Sequence, residues 1–498
     1  MLRSTFLPFI LLFLGNISLQ AQQSNAPAKI STLVEQPEVE MHIRFLASNE
    51  LEGRDVGSKG IEVAAQYMAA YFRSRGLKSL AGAENYRQRV PFLQANPPRQ
   101  GELSIAKQPF TLDQDFVVRQ GQNSRLQGTA VVLDWGTEAS ITADQVKGKW
   151  VITKAGTEPG SSPQAQLTAS ADKQKKLQEL GALGLIELYH NQQMPWNQLA
   201  PYLTGSKFVL GNSNESTPST FPLVWVSDAD NNLHQSLKKK KQSQVVFSIS
   251  GKEETSITSS NILAVIEGTD PKLKQEYVML SAHYDHVGIG RAVNGDSIYN
   301  GARDNAVGAT ALLMAADYFS KNPPKRSVLL AAWTAEEKGL LGSRWFAEHP
   351  PVPLGQIVFN LNIDGAGYND TTKVTVIGLE RTEAEAELTA AAQAFGLQAI
   401  KDPVPQQNLF DRSDNVHFAR AGIPAPTYSM GVTAFDAELM KHYHQPSDEA
   451  ESINFSYVSR YIQSFILAAE KIASAAQAPF WRGGDKYEAA GKALYNRK

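Results

Sequence analysis

Five short stretches in the second half of the chain carry side chains able to hold a metal or move a proton. In Ser281-Ala282-His283-Tyr284-Asp285-His286 an apolar run ends and His283, Asp285 and His286 follow at once. On an extended strand His283 and Asp285 fall on one side. There a carboxylate can bond the second nitrogen of a ligand histidine, although an ordinary polar strand end is the plainer reading. In Asn300-Gly301-Ala302-Arg303-Asp304-Asn305-Ala306-Val307-Gly308, Asp304 precedes an apolar helix. It can cap that helix or, having two oxygens, bridge two ions. Glu336 and Glu337 follow the apolar Ala331-Ala332-Trp333. Adjacent residues point in different directions, so one can ligate a metal while the other takes a proton from water; two acids also suit a helix start. Asp364 ends another apolar run before Gly365, where aspartate commonly makes a turn. Finally, Lys441-His442-Tyr443-His444-Gln445-Pro446-Ser447-Asp448 places His444 in a constrained turn, where both histidines also suit a surface.

None of these is diagnostic alone. Together they supply two histidines, several carboxylates and a spare glutamate. Cysteine is absent, which excludes disulfides, a thiol nucleophile and thiolate ligands. The remaining nitrogen and oxygen donors suit zinc, and two ions sharing a carboxylate lie about 3.5–4 Å apart. No compelling G-x-S-x-G elbow offers serine chemistry instead.

From about residue 260 the pattern around these stretches alternates strand and helix. Expected strands are Asn261–Ile266, Tyr277–Ala282, Ser327–Trp333, Ile357–Ile363, Lys373–Ile377 and Ala425–Ser429. Expected helices are Ala306–Phe319, Glu383–Phe395, Ser413–Ala421 and Val458–Ala475. Continuous apolar strands between long helices predict a buried mixed sheet, with active-site loops following its strands. Residues 100–255 differ in texture. Short apolar runs such as Ala130–Leu133, Trp150–Ile152, Leu185–Leu188, Phe221–Val226 and Val245–Ile249 recur between polar turns. They predict a strand-rich inserted domain. Near the start, Ile61–Arg75 spaces Ala64, Met68 and Phe72 as one helix face, ended by Gly76.

At 498 residues the chain has room for two or three domains. A net charge of −2 gives no sign of a nucleic-acid partner, and the run Lys238–Lys241 reads as solvated surface. Residues 1–21 have a positive start, an apolar stretch and a small residue near Ala21, as an export signal does. That stretch is short for a membrane span, so the expectation is a periplasmic or secreted protein without stable membrane insertion.

The order of the motifs resembles peptidase family M28, zinc peptidases that include bacterial aminopeptidases and some carboxypeptidases. The resemblance rests on His283-Tyr284-Asp285, Ala302-Arg303-Asp304-Asn305, Glu336-Glu337, Asn362-Ile363-Asp364 and Tyr443-His444-Gln445-Pro446. To these it adds Asp411-Arg412-Ser413-Asp414-Asn415, with asparagine at 415 where relatives often have histidine, and Phe45-Leu46-Ala47 through Glu52-Gly53-Arg54. It implies two zinc ions: Asp304 bridging, His283 and Asp364 completing one site, Glu337 and His444 the other. Asp285 would orient His283 and Glu336 would be the general base. Tyr428 resembles a position near the reaction intermediate, but the match there is loose. Val146-Lys147-Gly148-Lys149-Trp150 and Gly181-Ala182-Leu183-Gly184 resemble a protease-associated domain.

The implied organisation is a signal at 1–21, peptidase segments at 22–110 and 256–480, the inserted domain at 111–255, and a polar tail at 481–498. The implied fold is α/β, a mixed central sheet flanked by helices. The implied activity is release of N-terminal amino acids from peptides. Alternatives are a carboxypeptidase or dipeptidase of the same kind, a glutaminyl-cyclase-like enzyme and a silent binding protein. The complete set of ligands and base argues against the last two.

Overall fold

A computed structural model describes residues 26–497 apart from 81, 140, 162, 192–193, 212–219 and 241. The expected export signal lies outside the described residues. The chain divides into two compact units, one made of the chain up to Arg89 together with Ser260 onward, the other Val90–Ser259.

The first unit is built on a mixed sheet. Its strands are β1 (Glu254–Ile266), β2 (Tyr277–His283), β3 (Ser327–Trp333), β4 (Ile357–Ile363), β5 (Lys373–Ile377), β6 (Gln398–Lys401) and β7 (Thr427–Met430). They lie in the order β1-β3-β2-β4-β7-β5-β6. β3, β2, β4 and β7 run parallel, while β1 and β5 are antiparallel to their neighbours β3 and β7. Every residue of β3 is buried, as a strand covered on both faces requires.

Helices Val307–Lys321 and Phe455–Ser474 pack on β2. The former is apolar nearly all round and buried from Val307 to Phe319, the pattern of a core helix. Elsewhere in the core the rings of Trp333, Phe346 and Phe418 stack or meet edge to face, with centroids 5.2–5.8 Å apart. The C-terminal segment is no free tail. Phe480 and Trp481 are buried in the same core, and Glu488–Leu494 is helical. Its polar residues hide a few aromatic anchors that suffice to dock it.

The second unit has its own sheet, whose centre runs Ser243–Ser250, Ser124–Val132, Trp150–Lys154, Gly184–Tyr189 and Leu223–Ser227. The last four of these strands are mutually parallel. Lys173 and Glu187, both essentially inaccessible, pair at 2.6 Å within it. No helix among the described residues is long and apolar enough to cross a membrane.

Candidate metal centre

β3, β2 and β4 are parallel neighbours, and the chain, after placing β3 on one side of β2, crosses to the other side to form β4. The C-terminal ends of strands at such a reversal leave a crevice. His283 is the last residue of β2, Asp364 follows β4, and Glu336 and Glu337 lie just beyond β3. Asp304 arrives from the turn that starts the buried helix, and His444 from a late loop.

His283 Nδ1 faces the backbone carbonyl of Asp285 at 3.1 Å, which leaves Nε2 as the outward donor. That Nε2 lies 3.1 Å from Asp304 Oδ1 and 3.4 Å from Asp364 Oδ1. The other oxygen of Asp304 lies 3.3 Å from His444 Nε2, which is 3.2 Å from Glu337 Oε1. His286 Nδ1 approaches the same Glu337 oxygen at 2.9 Å. The side chains thus form two sets, His283–Asp304–Asp364 and His286–Asp304–Glu337–His444, within each of which the donor atoms lie inside 4.8 Å of one another. Asp304 belongs to both, one oxygen to each.

These spacings fit a metal. Ligand atoms about 2.1 Å from a tetrahedral zinc lie about 3.4 Å from one another. Both ring nitrogens of His286 and Oε1 of Glu337 are buried without an aligned hydrogen-bond partner, despite their close approach. Such orphaned atoms are costly, and a cation held at Glu337 Oε1 would supply that oxygen's missing interaction.

The surrounding chain aims each side chain. Ala335 adopts φ +59°, left-handed backbone in a buried non-glycine residue, and turns the chain so that the two glutamates follow a bend rather than a helix start. The helix begins only at Leu341, where a Cβ on Gly342 would stand 2.1 Å from the Thr334 carbonyl. Ser413 Oγ donates to Asp364 Oδ2 at 2.5 Å, leaving Oδ1 for the centre. Asp448 accepts from the backbone N–H of Arg303 and Asp304 at 2.9 and 3.1 Å.

Asp285 does something other than expected. Its carboxylate is 3.9 Å from His283 Nδ1 and instead accepts from the N–H groups of Glu336 and Glu337 at 3.1 and 3.2 Å. β2 ends at His283, so the strand alternation that would have stacked the two side chains stops one residue too early. Tyr428 is also elsewhere, its hydroxyl 2.9 Å from Ser464 Oγ in the core. Asn415 is buried and donates to the carbonyls of Phe410 and Ala425.

The electrostatics separate the two glutamates. Burial pushes Glu336 well above the usual carboxylate range, aided by Glu337, Asp364 and Asp414 against the pull of His283. Glu337 is buried as well, yet the imidazoles of His286 and His444 hold it down at about 2. His444, against burial, is raised to about 10 by Asp304 and Glu337. Neighbouring carboxylates with such divergent proton affinities suit different roles.

A cavity of about 130 Å³ opens on the centre. His283, Asp304, Glu336, Glu337, Asp364 and His444 form its acidic end, and Ile377, Leu409, Val432, Phe435 and Leu439 part of its apolar wall. Tyr443, stacked on His444 with centroids 4.2 Å apart, also lines it. His286, Ser413 and Asp448 had no separate assignment from the sequence; the signal available was their place beside residues that had one.

Residues 261–468 match the profile of peptidase family M28. That matched segment contains every residue of both donor sets. Aminopeptidase YwaD of Bacillus subtilis is 26% identical over 327 residues, which cover 64% of this chain and 61% of that protein. A vacuolar membrane protease of Kluyveromyces lactis is 35% identical over 154 residues, 31% of this chain and 15% of that protein. The chain therefore spans under two thirds of either relative. Among solved structures, an aminopeptidase from Aneurinibacillus sp. strain AM-1 aligns with TM-score 0.62 and 19% identity, covering 92% of this chain and 99% of its own. A zinc aminopeptidase from Bacillus subtilis aligns with TM-score 0.54 and 19% identity, covering 91% and 97%. Both likenesses show the fold alone.

Proposed function

We propose that the protein is a zinc-dependent exopeptidase that releases N-terminal amino acids from peptides. The observation that carries this reading is the pair of donor sets sharing Asp304 at one end of a small cavity, with Glu336 beside them. In this reading His283 and Asp364 hold one ion with Asp304, and Glu337 and His444 hold the other. Bound zinc supplies Lewis-acid polarisation of the peptide carbonyl and of water. Glu336, its carboxylate made basic by burial, takes the proton of the attacking water and passes it to the leaving amine. Asp285 holds the backbone of both glutamates, and Ser413 sets the rotation of Asp364. The acidic end attracts a peptide's ammonium group, while the apolar wall receives a side chain. The names of the aminopeptidase relatives support the same polarity.

The reading extends to the rest of the chain. Residues 111–255, within the unit Val90–Ser259, are taken as a protease-associated insert, residues 1–21 as an export signal, and the mature enzyme as periplasmic or secreted. Cell fractionation with a C-terminal tag tests the last point.

The decisive assay compares free-amino and amino-blocked peptides, with chelator and with zinc restored. Trimming of free N termini only, abolished by chelation and recovered with zinc, is expected. Removal of C-terminal residues instead would overturn the polarity and leave a zinc hydrolase. Cleavage indifferent to chelation would overturn the metal reading.

A further inference from the structure

The turn Asn49–Arg54 contributes nothing to either donor set, yet its last residue reaches the loops that carry both. The Arg54 side chain is fully buried, and its donors go to backbone carbonyls. Nε donates to Tyr284 at 2.8 Å, Nη1 to Asn300 at 2.7 Å and also to Leu46, and Nη2 to Gly301 at 2.9 Å. None of these acceptors is a carboxylate, although Asp285, Asp448, Asp304 and Glu337 lie near enough for their charges to act on it. Burying a guanidinium without a contact counter-ion is expensive, so a simple packing role does not account for it. The backbone carbonyl of Arg54 also accepts from His286 N–H at 3.4 Å.

The turn itself is strained. Glu52, Gly53 and Arg54 take φ of +46°, +70° and +54°, which is uncommon for residues with a Cβ. A Cβ on Gly53 would stand 2.3 Å from the Tyr299 carbonyl and 2.9 Å from Gly288 Cα. The turn is therefore wedged against the chain just beyond His286 and just before Asn300. Tyr284 lies between His283 and Asp285, and Asn300 and Gly301 begin the approach to Asp304. That approach is gripped from two sides. Arg54 holds the carbonyls of Asn300 and Gly301, while Asp448 holds the N–H groups of Arg303 and Asp304.

We propose that Arg54 is a positioning residue of the metal centre, clamping the His283–His286 and Asn300–Asp304 loops together so that the two donor sets face each other before any ion arrives. This rests on reading those sets as a zinc pair. The planar fork is what the role requires, because lysine keeps the charge but cannot reach the same four carbonyls.

The test titrates zinc alone against a competing chelator, using the full chain. Arg54→Lys and Arg54→Met are compared with wild type and with Arg326→Lys, a change at another buried arginine that pairs with Glu276 beside the start of β3. Wild type should bind two zinc ions. Both Arg54 variants should lose about 10- to 100-fold in affinity, the range for residues that orient ligands. Arg326→Lys should lower the melting temperature and leave zinc affinity alone. If Arg54→Lys binds as wild type while Arg54→Met binds more tightly, the residue acts through charge and the clamp is refuted. A wild type that binds no zinc refutes the metal reading itself, and the proposal with it. Hydrogen exchange on zinc-free wild type gives a second check should neither variant fold. Protected amides within 283–286 and 300–304 are expected, and free exchange there would overturn the clamp.

Discussion

Two clusters of buried charge in this molecule are resolved in opposite ways. In the second unit, Lys173 donates to Glu187 at 2.6 Å and to the Lys154 carbonyl at 2.8 Å. Trp225 Nε1 and Ser170 complete the other Glu187 oxygen. The Glu187 carboxylate is closed, with an aligned partner for each oxygen, and Arg119, 5.2 Å from the Trp225 ring, stands near as a second cation. In the first unit, carboxylates outnumber the cations near them, Asp304 divides its oxygens between two sets, and His286 and Glu337 lack aligned partners. Burial and charge alone therefore do not mark a functional site. Convergence of unsatisfied donors on one space, beside an open cavity, does.

Substitutions can break that contrast from either side. The largest effect is expected at Glu336, where Glu336→Gln should lower kcat by about 10²- to 10⁴-fold while zinc stoichiometry, read by metal analysis, stays at the wild-type value. Next comes Lys173→Met, which leaves Glu187 charged without its contact cation. Urea unfolding should show a loss of about 3–5 kcal/mol. The double change Lys173→Met with Glu187→Met should recover most of that, because a closed pair is replaceable by well-packed apolar groups.

A third buried group avoids the problem by staying neutral. His42 Nδ1 is 2.6 Å from the Tyr67 hydroxyl, and burial, with Arg75 nearby, lowers its pKa to about 4 despite Asp317. Its folded pKa lies below its unfolded one, so the unfolded chain gains the proton first. The contribution is fully present above pH 6.5 and is lost as pH falls toward 4, amounting to about 3 kcal/mol at most. Stability measured across that window should slope downward with acid, and His42→Gln should flatten the slope. The smallest effect is expected for Ser413→Ala, which frees Asp364 to rotate and should weaken zinc binding by about tenfold with little change in melting temperature.

The strands β3, β4 and β5 were legible to the residue, because short, mostly apolar runs stop at their ends, although β4 carries Asn360 and Asn362 and β5 carries Thr375 within the run. The short β6 and the hairpin Gly288–Tyr299 were not, since their polar or exposed residues carry no such contrast. At the centre, side-chain types and order could be read along the chain, but the meeting of His283 with His444 depends on how the sheet is crossed. Local backbone turns also defeated the reading. The left-handed Ala335 and the early end of β2 gave Asp285 two amide partners in place of an imidazole. The final segment looked polar because Phe480, Trp481, Tyr487 and Tyr495 are diluted among charged neighbours.

The division of the first unit into two stretches of chain also bears on the order in which the protein assembles. The hydrogen bonds of Arg54 to Tyr284, Asn300 and Gly301 span 230, 246 and 247 positions. Val90–Ser259 lies entirely within that span and can close on itself as soon as its own last strand emerges. Loop closure costs grow only slowly with length, by about 0.6 kcal/mol for each doubling. A pre-folded insert shortens the effective loop further, but the N-terminal turn must still wait for most of the chain. The unit that holds the metal centre thus needs chain from both sides of Val90–Ser259, and until the later stretch is in place the turn at Asn49–Arg54 has nothing to hold.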